Sequence, residues 1–134
     1  MAGRPQSLTE MALRTSDGSC EFDACVREFL DEWQTLSRAH KIAAIEGEPQ
    51  ELGGVKDAYL AALAEHLALS DRLPVPAWTE QPERFLSKPF FAGGLESLKA
   101  ILLVESPLAF RRRLIFISAD GLSRPSRQFA EDAV

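Results

Sequence analysis

The sequence predicts an all-α fold: a single domain of six or seven helices, several of them short. Three observations predict it. Apolar residues recur at spacings of three and four over 22–36 and again over 55–67, the period of a helix with one buried face. Breaking segments, among them Gly47-Glu48-Pro49, Pro74-Val75-Pro76, Lys88-Pro89 and Gly93-Gly94, cut the 134-residue chain into pieces of helix length. Only Leu114-Ile115-Phe116-Ile117 has strand propensity, and the sequence offers it no evident partner strand. It reads as a helix end or an extended packing segment.

The elements follow in order. Ser7 is placed to cap a short helix over 8–14, with Glu10 at its third position as in a capping box. The polar run Thr15-Ser16-Asp17-Gly18-Ser19 breaks it. A longer helix is expected over 21–38, with Phe22, Cys25, Val26, Phe29, Leu30, Trp33 and Leu36 on one stripe. Ser37 starts a shorter helix over 39–46, with Ile42 and Ile45 inward. The next helix, 54–70, puts Val55, Ala58, Tyr59, Ala62, Leu63, His66 and Leu67 on one face and leaves Lys56, Asp57 and Glu65 off it. Thr79 is read as the cap of a short helix over 80–86. The segment 95–105 is apolar around most of its circumference, so it is expected to be central, with helices 21–38 and 54–70 packed around it. Ser106-Pro107 reads as the cap and first position of a last helix reaching about 113.

Composition bounds the class. With 46% hydrophobic and 26% charged residues the chain resembles an ordinary globular protein large enough to bury a core without metal or disulfides. Its apolar runs, 100–104 among them, are far short of the roughly 20 residues that cross a bilayer. The first residues carry no apolar segment of the secretory kind, so the expected location is the cytoplasm. Cys20 and Cys25 both fall in a segment read as helix. Five residues separate them by about 140° around such an axis, so they are expected to be structural thiols that cannot bridge. The net charge of −5 is unevenly spread: ten acids against four bases over 17–57, and five arginines against one acid over 107–127.

Chemistry-bearing motifs are sparse. No GxSxG, HExxH, GxGxxG or GxxxxGK[ST] is present, which removes the commonest hydrolase, zinc-protease and nucleotide-loop readings. His40 and His66 have no second histidine at metal-sharing spacing, so no catalytic residue, cofactor site or metal site is assigned. The stretch 74–118 stands out instead. It holds five of the eight phenylalanines, five of the eight prolines and the Arg111-Arg112-Arg113 run. On a helix three successive positions span about 200°, so at least one arginine faces the protein and the others are free for a partner. Trp78, Phe85, Phe90 and Phe91 are the second candidate set, as core or as an anchor-lined groove. A pI near 5.1 and the lack of a helix-turn-helix pattern argue against nucleic-acid binding by this chain alone.

Several segments also carry a resemblance: Tyr-Leu-Ala-Ala-Leu-Ala-Glu-His-Leu at 59–67, Pro-Val-Pro-Ala-Trp at 74–78 and Arg84-Phe85-Leu86. Pro-Phe-Phe-Ala-Gly-Gly-Leu-Glu-Ser-Leu-Lys-Ala at 89–100, Glu-Ser-Pro-Leu-Ala-Phe-Arg-Arg-Arg at 105–113 and Ile-Phe-Ile-Ser-Ala at 115–119 complete it. Together they resemble an uncharacterised bacterial all-helical domain. Relatives of that domain follow a repressor-like helix-turn-helix, or stand alone beside a nucleotidyltransferase-like protein in a toxin–antitoxin-like arrangement. The resemblance implies a protein-binding regulatory module, antitoxin-like, acting by direct contact, with Arg111, Arg112, Arg113, Trp78, Phe90 and Phe91 as contact residues. The competing readings are a small-ligand binder or enzyme with a pocket under 74–94, and a DNA-binding regulator. Three regions are expected: a partly disordered arm with a short helix (1–19), the helical domain (20–123) and a frayed tail (124–134).

Overall fold

A 17-residue helix rich in alanine and leucine, Val55–Asp71, is the centre about which the chain closes. In the computed structural model, which describes residues 3–91 and 106–117, it is preceded by three helices, α1 (Leu8–Ser16), α2 (Phe22–Trp33) and α3 (Arg38–Glu46). The long helix is α4, and α5 is the single turn Leu108–Arg111. Two 3-10 turns, Ala77–Glu80 and Pro82–Arg84, and two short strands, β1 (Phe90–Phe91) and β2 (Ile115–Phe116), complete the described elements. The protein is thus mostly helical, with one small sheet.

Local chemistry sets the boundaries. The Ser7 hydroxyl accepts from the Glu10 amide at 3.1 Å, satisfying a donor that α1 leaves open, while the Glu10 carboxylate reaches back past the cap to accept from the Gln6 amide at 3.0 Å. The segment before α1, expected to be loose, is packed: Pro5 is fully buried and Arg4 faces Glu32 at 3.8 Å. Helix α2 buries the predicted stripe from Phe22 to Trp33 but stops there rather than running to 38. The reason lies in Ser37, whose hydroxyl accepts from the His40 amide at 3.2 Å and so caps α3. Cys20 precedes the α2 cap, Glu21, and is not helical, which removes the premise that separated it from Cys25.

Helix α4 ends in a Schellman motif. Arg72 takes a left-handed conformation, its amide donating to Leu69 and the Leu73 amide to Ala68. Cations from α3 hold this end: Lys41 Nζ lies 2.7 Å from Asp71, and Arg38 donates to the Arg72 carbonyl at 3.1 Å. Trp33 Nε1 also donates to Asp71, at 3.2 Å. The helix is buried well beyond one face. Ten of its residues are buried, Asp57 and Glu65 among them, although both belong to the side the sequence reads as solvated. Tyr59 sets its ring edge against Phe22 and Phe110, at centroid distances of 5.6 and 5.1 Å.

The C-terminal part departs from the expectation of an all-α chain. Ile115 and Phe116 do have a partner strand: they pair in parallel with Phe90 and Phe91, in the register Phe90–Ile115 and Phe91–Phe116. The Phe91 and Phe116 rings stack at 5.1 Å. Ser106 does not cap α5 as predicted; its hydroxyl both accepts from the Ile117 amide and donates to the Ile117 carbonyl, each at 2.9 Å. That bond ties the start of α5 to the end of β2. Thr79 likewise lies inside a 3-10 turn rather than before a helix, its hydroxyl donating to the Pro76 carbonyl at 2.7 Å. The helix expected over 95–105, its central packing and the tail 124–134 lie outside the described residues.

Candidate functional site

The one turn of α5 sends the three arginines into three environments. Arg113 is fully buried. Its Nη1 donates to Glu65 Oε1 at 2.5 Å and to the Ala109 carbonyl at 2.8 Å, and its Nη2 to the Thr79 carbonyl at 2.8 Å. The Phe85 ring lies 4.5 Å from its guanidinium carbon, a cation–π contact strengthened by desolvation. Arg112 bridges two carboxylates: Glu65 at 2.7 and 2.8 Å, and Glu80 at 2.9 and 3.2 Å. These bonds hold the Glu80 carboxyl below the usual carboxylate range and raise the Arg112 guanidinium further. Arg111 is exposed and makes no ion pair with a described residue. Beside it on the same helical turn, three positions earlier, Leu108 is 56% exposed. The run is therefore split, with Arg113 removed from any partner's reach, Arg112 committed to Glu65 and Glu80, and Arg111 left at the surface.

The split has a local cause. Leu114 adopts φ +64°, and its amide closes on the Arg111 carbonyl at 3.0 Å. That turn stops α5 and drives Arg113 inward as the chain enters β2.

A second buried arginine enters the sequence reading only within the Arg84-Phe85-Leu86 segment, with no role assigned to it. Arg84 donates to the Pro49 carbonyl at 2.7 Å and to the Asp57 carbonyl at 3.4 Å, and lies within 3.8 Å of the Asp57 carboxylate. Asp57 in turn accepts from the amides of Leu52 and Gly53, at 2.6 and 3.0 Å, and so shapes the loop that leads into α4. The available signal was at Glu65 alone, the single acid of the mostly apolar stretch 58–69, whereas Asp57 stands beside Lys56 at the helix start. A lone charge in such a run is buried with a partner more readily than its polarity suggests.

Trp78 is a core residue. Its Nε1 donates to the Ile45 carbonyl at 3.0 Å, and Arg84 stacks on its ring at 5.0 Å. One edge still lines an open apolar groove of about 270 Å³ with Ile42, Pro74, Pro76 and Ala77, where Glu46 is the single acid. Val75, at the groove's proline-rich wall, is 39% exposed. Phe90 is exposed to the same degree on the sheet, whereas Phe91 is partly covered by Phe116. Trp78 and the Phe90–Phe91 pair thus belong to different packing environments.

The histidines are accounted for by structure. Burial lowers the His66 imidazole, which sits 6.0 Å from the Phe110 ring. His40 Nδ1 is 3.0 Å from the Ser37 hydroxyl, but that hydroxyl is engaged in capping α3, so the pair serves the helix end. Among the described residues no group of three or more His, Cys, Asp or Glu side chains could hold a metal ion, and no helix is long and apolar enough to cross a membrane. Compared with known proteins, the chain matches no family model, no curated protein and no solved structure.

Proposed function

We propose that this chain is a cytoplasmic, protein-binding regulatory module, the antitoxin-like partner of a nucleotidyltransferase-like protein encoded beside it, and that it acts by direct contact. The observation that carries the reading is the pairing of Leu108 with Arg111 on α5. An exposed apolar side chain lies there beside a guanidinium that makes no ion pair with a described residue, and arginine is enriched among the residues that anchor protein contacts. They sit on a turn braced from beneath by Arg112 and Arg113, so the contact surface is preorganised. The groove beside Trp78 supports the same reading. At about 270 Å³ it is smaller than the roughly 300–1,000 Å³ of typical small-molecule sites, a size suited to one apolar side chain of a partner.

Co-expression with the neighbouring protein, followed by capture on a tag at Met1 and mass measurement, tests this. A stoichiometric complex is expected, with the neighbour toxic when expressed alone. Leu108→Asp and Arg111→Glu should each weaken the complex at least about tenfold, about 1.4 kcal/mol, without altering the fold. A lone protein with a harmless neighbour would discard the proposal, and unchanged affinity in both variants would move the contact away from α5.

A further inference from the structure

Cys20 and Cys25 occupy the two positions of a hydrophobic staple at the start of α2. Glu21 is the cap, so Cys20 is the residue before it and Cys25 the fourth residue of the helix. Side chains at these positions fold over the first turn and meet. Here both are thiols, and Cys20 packs against the core cluster to which Cys25 belongs.

Their surroundings differ. Cys25 is fully buried, its sulfur 3.8 Å from the Met11 carbonyl of α1, and burial pushes its thiol up to about 12. Cys20 is half-buried and lines an open groove of about 750 Å³ between α1 and α2, whose charged lining is Arg4 and Arg14 together with Glu10, Asp17 and Glu28. Its own thiol makes a long hydrogen bond, 3.5 Å to the Glu21 carbonyl. One sulfur is reachable and the other waits behind it, the usual layout of an oxidisable thiol with a resolving partner.

We propose that Cys20 and Cys25 form an oxidisable dithiol, in which a peroxide entering the α1–α2 groove oxidises Cys20 and Cys25 closes an intramolecular disulfide. The Cys20 sulfur attacks one peroxide oxygen, the O–O bond breaks, and Cys20 becomes a sulfenic acid while water or an alcohol leaves. The Cys25 sulfur then attacks the Cys20 sulfur. The S–O bond breaks and the hydroxide departs as water with the Cys25 proton. Two electrons pass from the two thiols to the peroxide. The second step needs the Cys25 thiolate, which burial disfavours, so it speeds up with pH.

The test uses the full chain and hydrogen peroxide. Intact mass should show the loss of two hydrogens, reversed by dithiothreitol, and the reaction should quicken between about pH 7 and 9. Cleavage after Glu21 separates the cysteines, so a Cys20–Cys25 bridge appears as a cross-linked peptide under non-reducing conditions. In Cys25→Ser, a sulfenic acid at Cys20 should accumulate and be trapped by dimedone; in Cys20→Ser, Cys25 should stay reduced. Oxygen gained at Cys20 without a bridge, a disulfide between two chains, or no reaction at all would each overturn the proposal.

Discussion

The guanidinium of Arg113 lies 2.5 Å from the carboxylate of Glu65, with 0% and 9% of the two side chains exposed. A buried pair of this kind gains little over a hydrophobic replacement, yet breaking it strands a charge. Glu65 also serves Arg112, which keeps Glu80 when Glu65 is removed, so the stranded charge is that of Arg113. Glu65→Ala should therefore cost about 3–5 kcal/mol, measured as a shift in the urea midpoint at constant slope. A Glu65→Leu/Arg113→Met double variant should cost less than the sum of its two single changes.

Asp57 holds the loop before α4 through the Leu52 and Gly53 amides and faces Arg84. Replacing it with alanine removes charge-assisted bonds worth about 1.5–3 kcal/mol. A loss of at least about 2 kcal/mol is expected by chemical denaturation. Asp57→Asn retains an acceptor oxygen and should recover part of it.

His66 gives a pH signature. Its folded-state pKa is lowered by burial, so the unfolded chain binds the proton more readily. The stability linked to His66 is complete above the ordinary imidazole value of about 6.5 and is lost as pH falls through the depressed folded value. The thermal midpoint should fall as pH drops below about 6.5, and His66→Gln should flatten that fall. Glu80 adds a second, lower window. Because Arg112 depresses its pKa, its contribution is present above about pH 4.3 and fades below it.

Arg72 adopts φ 58° at the end of α4, a conformation that disfavours side chains and suits glycine. The residue is exposed, and its backbone carries the capping bonds. Arg72→Gly should raise stability by up to about 1 kcal/mol, seen as a higher melting temperature.

Helices α1 to α4 were legible because their signals are local. The stripe from Phe22 to Trp33, the Ser7–Glu10 capping box and the alanine–leucine run of α4 are each complete within a few turns. The missed features depend on distant partners. Glu65 and Asp57 read as solvated because their arginines arrive 27 to 48 residues later. Two strands of two residues each show no period to detect, so the Phe90–Ile115 pairing could not be inferred from Ile115 alone. The arginine run was visible as a feature. Which of its members faces inward depended on the left-handed turn at Leu114, which no propensity favours.

The long reach of the Glu65–Arg113 bond sets an order of events during synthesis. Helices α1 to α3 have their mutual contacts once the first third of the chain is made. Glu65, by contrast, emerges with nothing to neutralise it, since its counter-charges lie 47 and 48 residues downstream. Until those residues clear the ribosome, burying this face of α4 would enclose a naked carboxylate. The nascent chain must therefore keep its central helix partly wet, closing it only when the arginine run arrives.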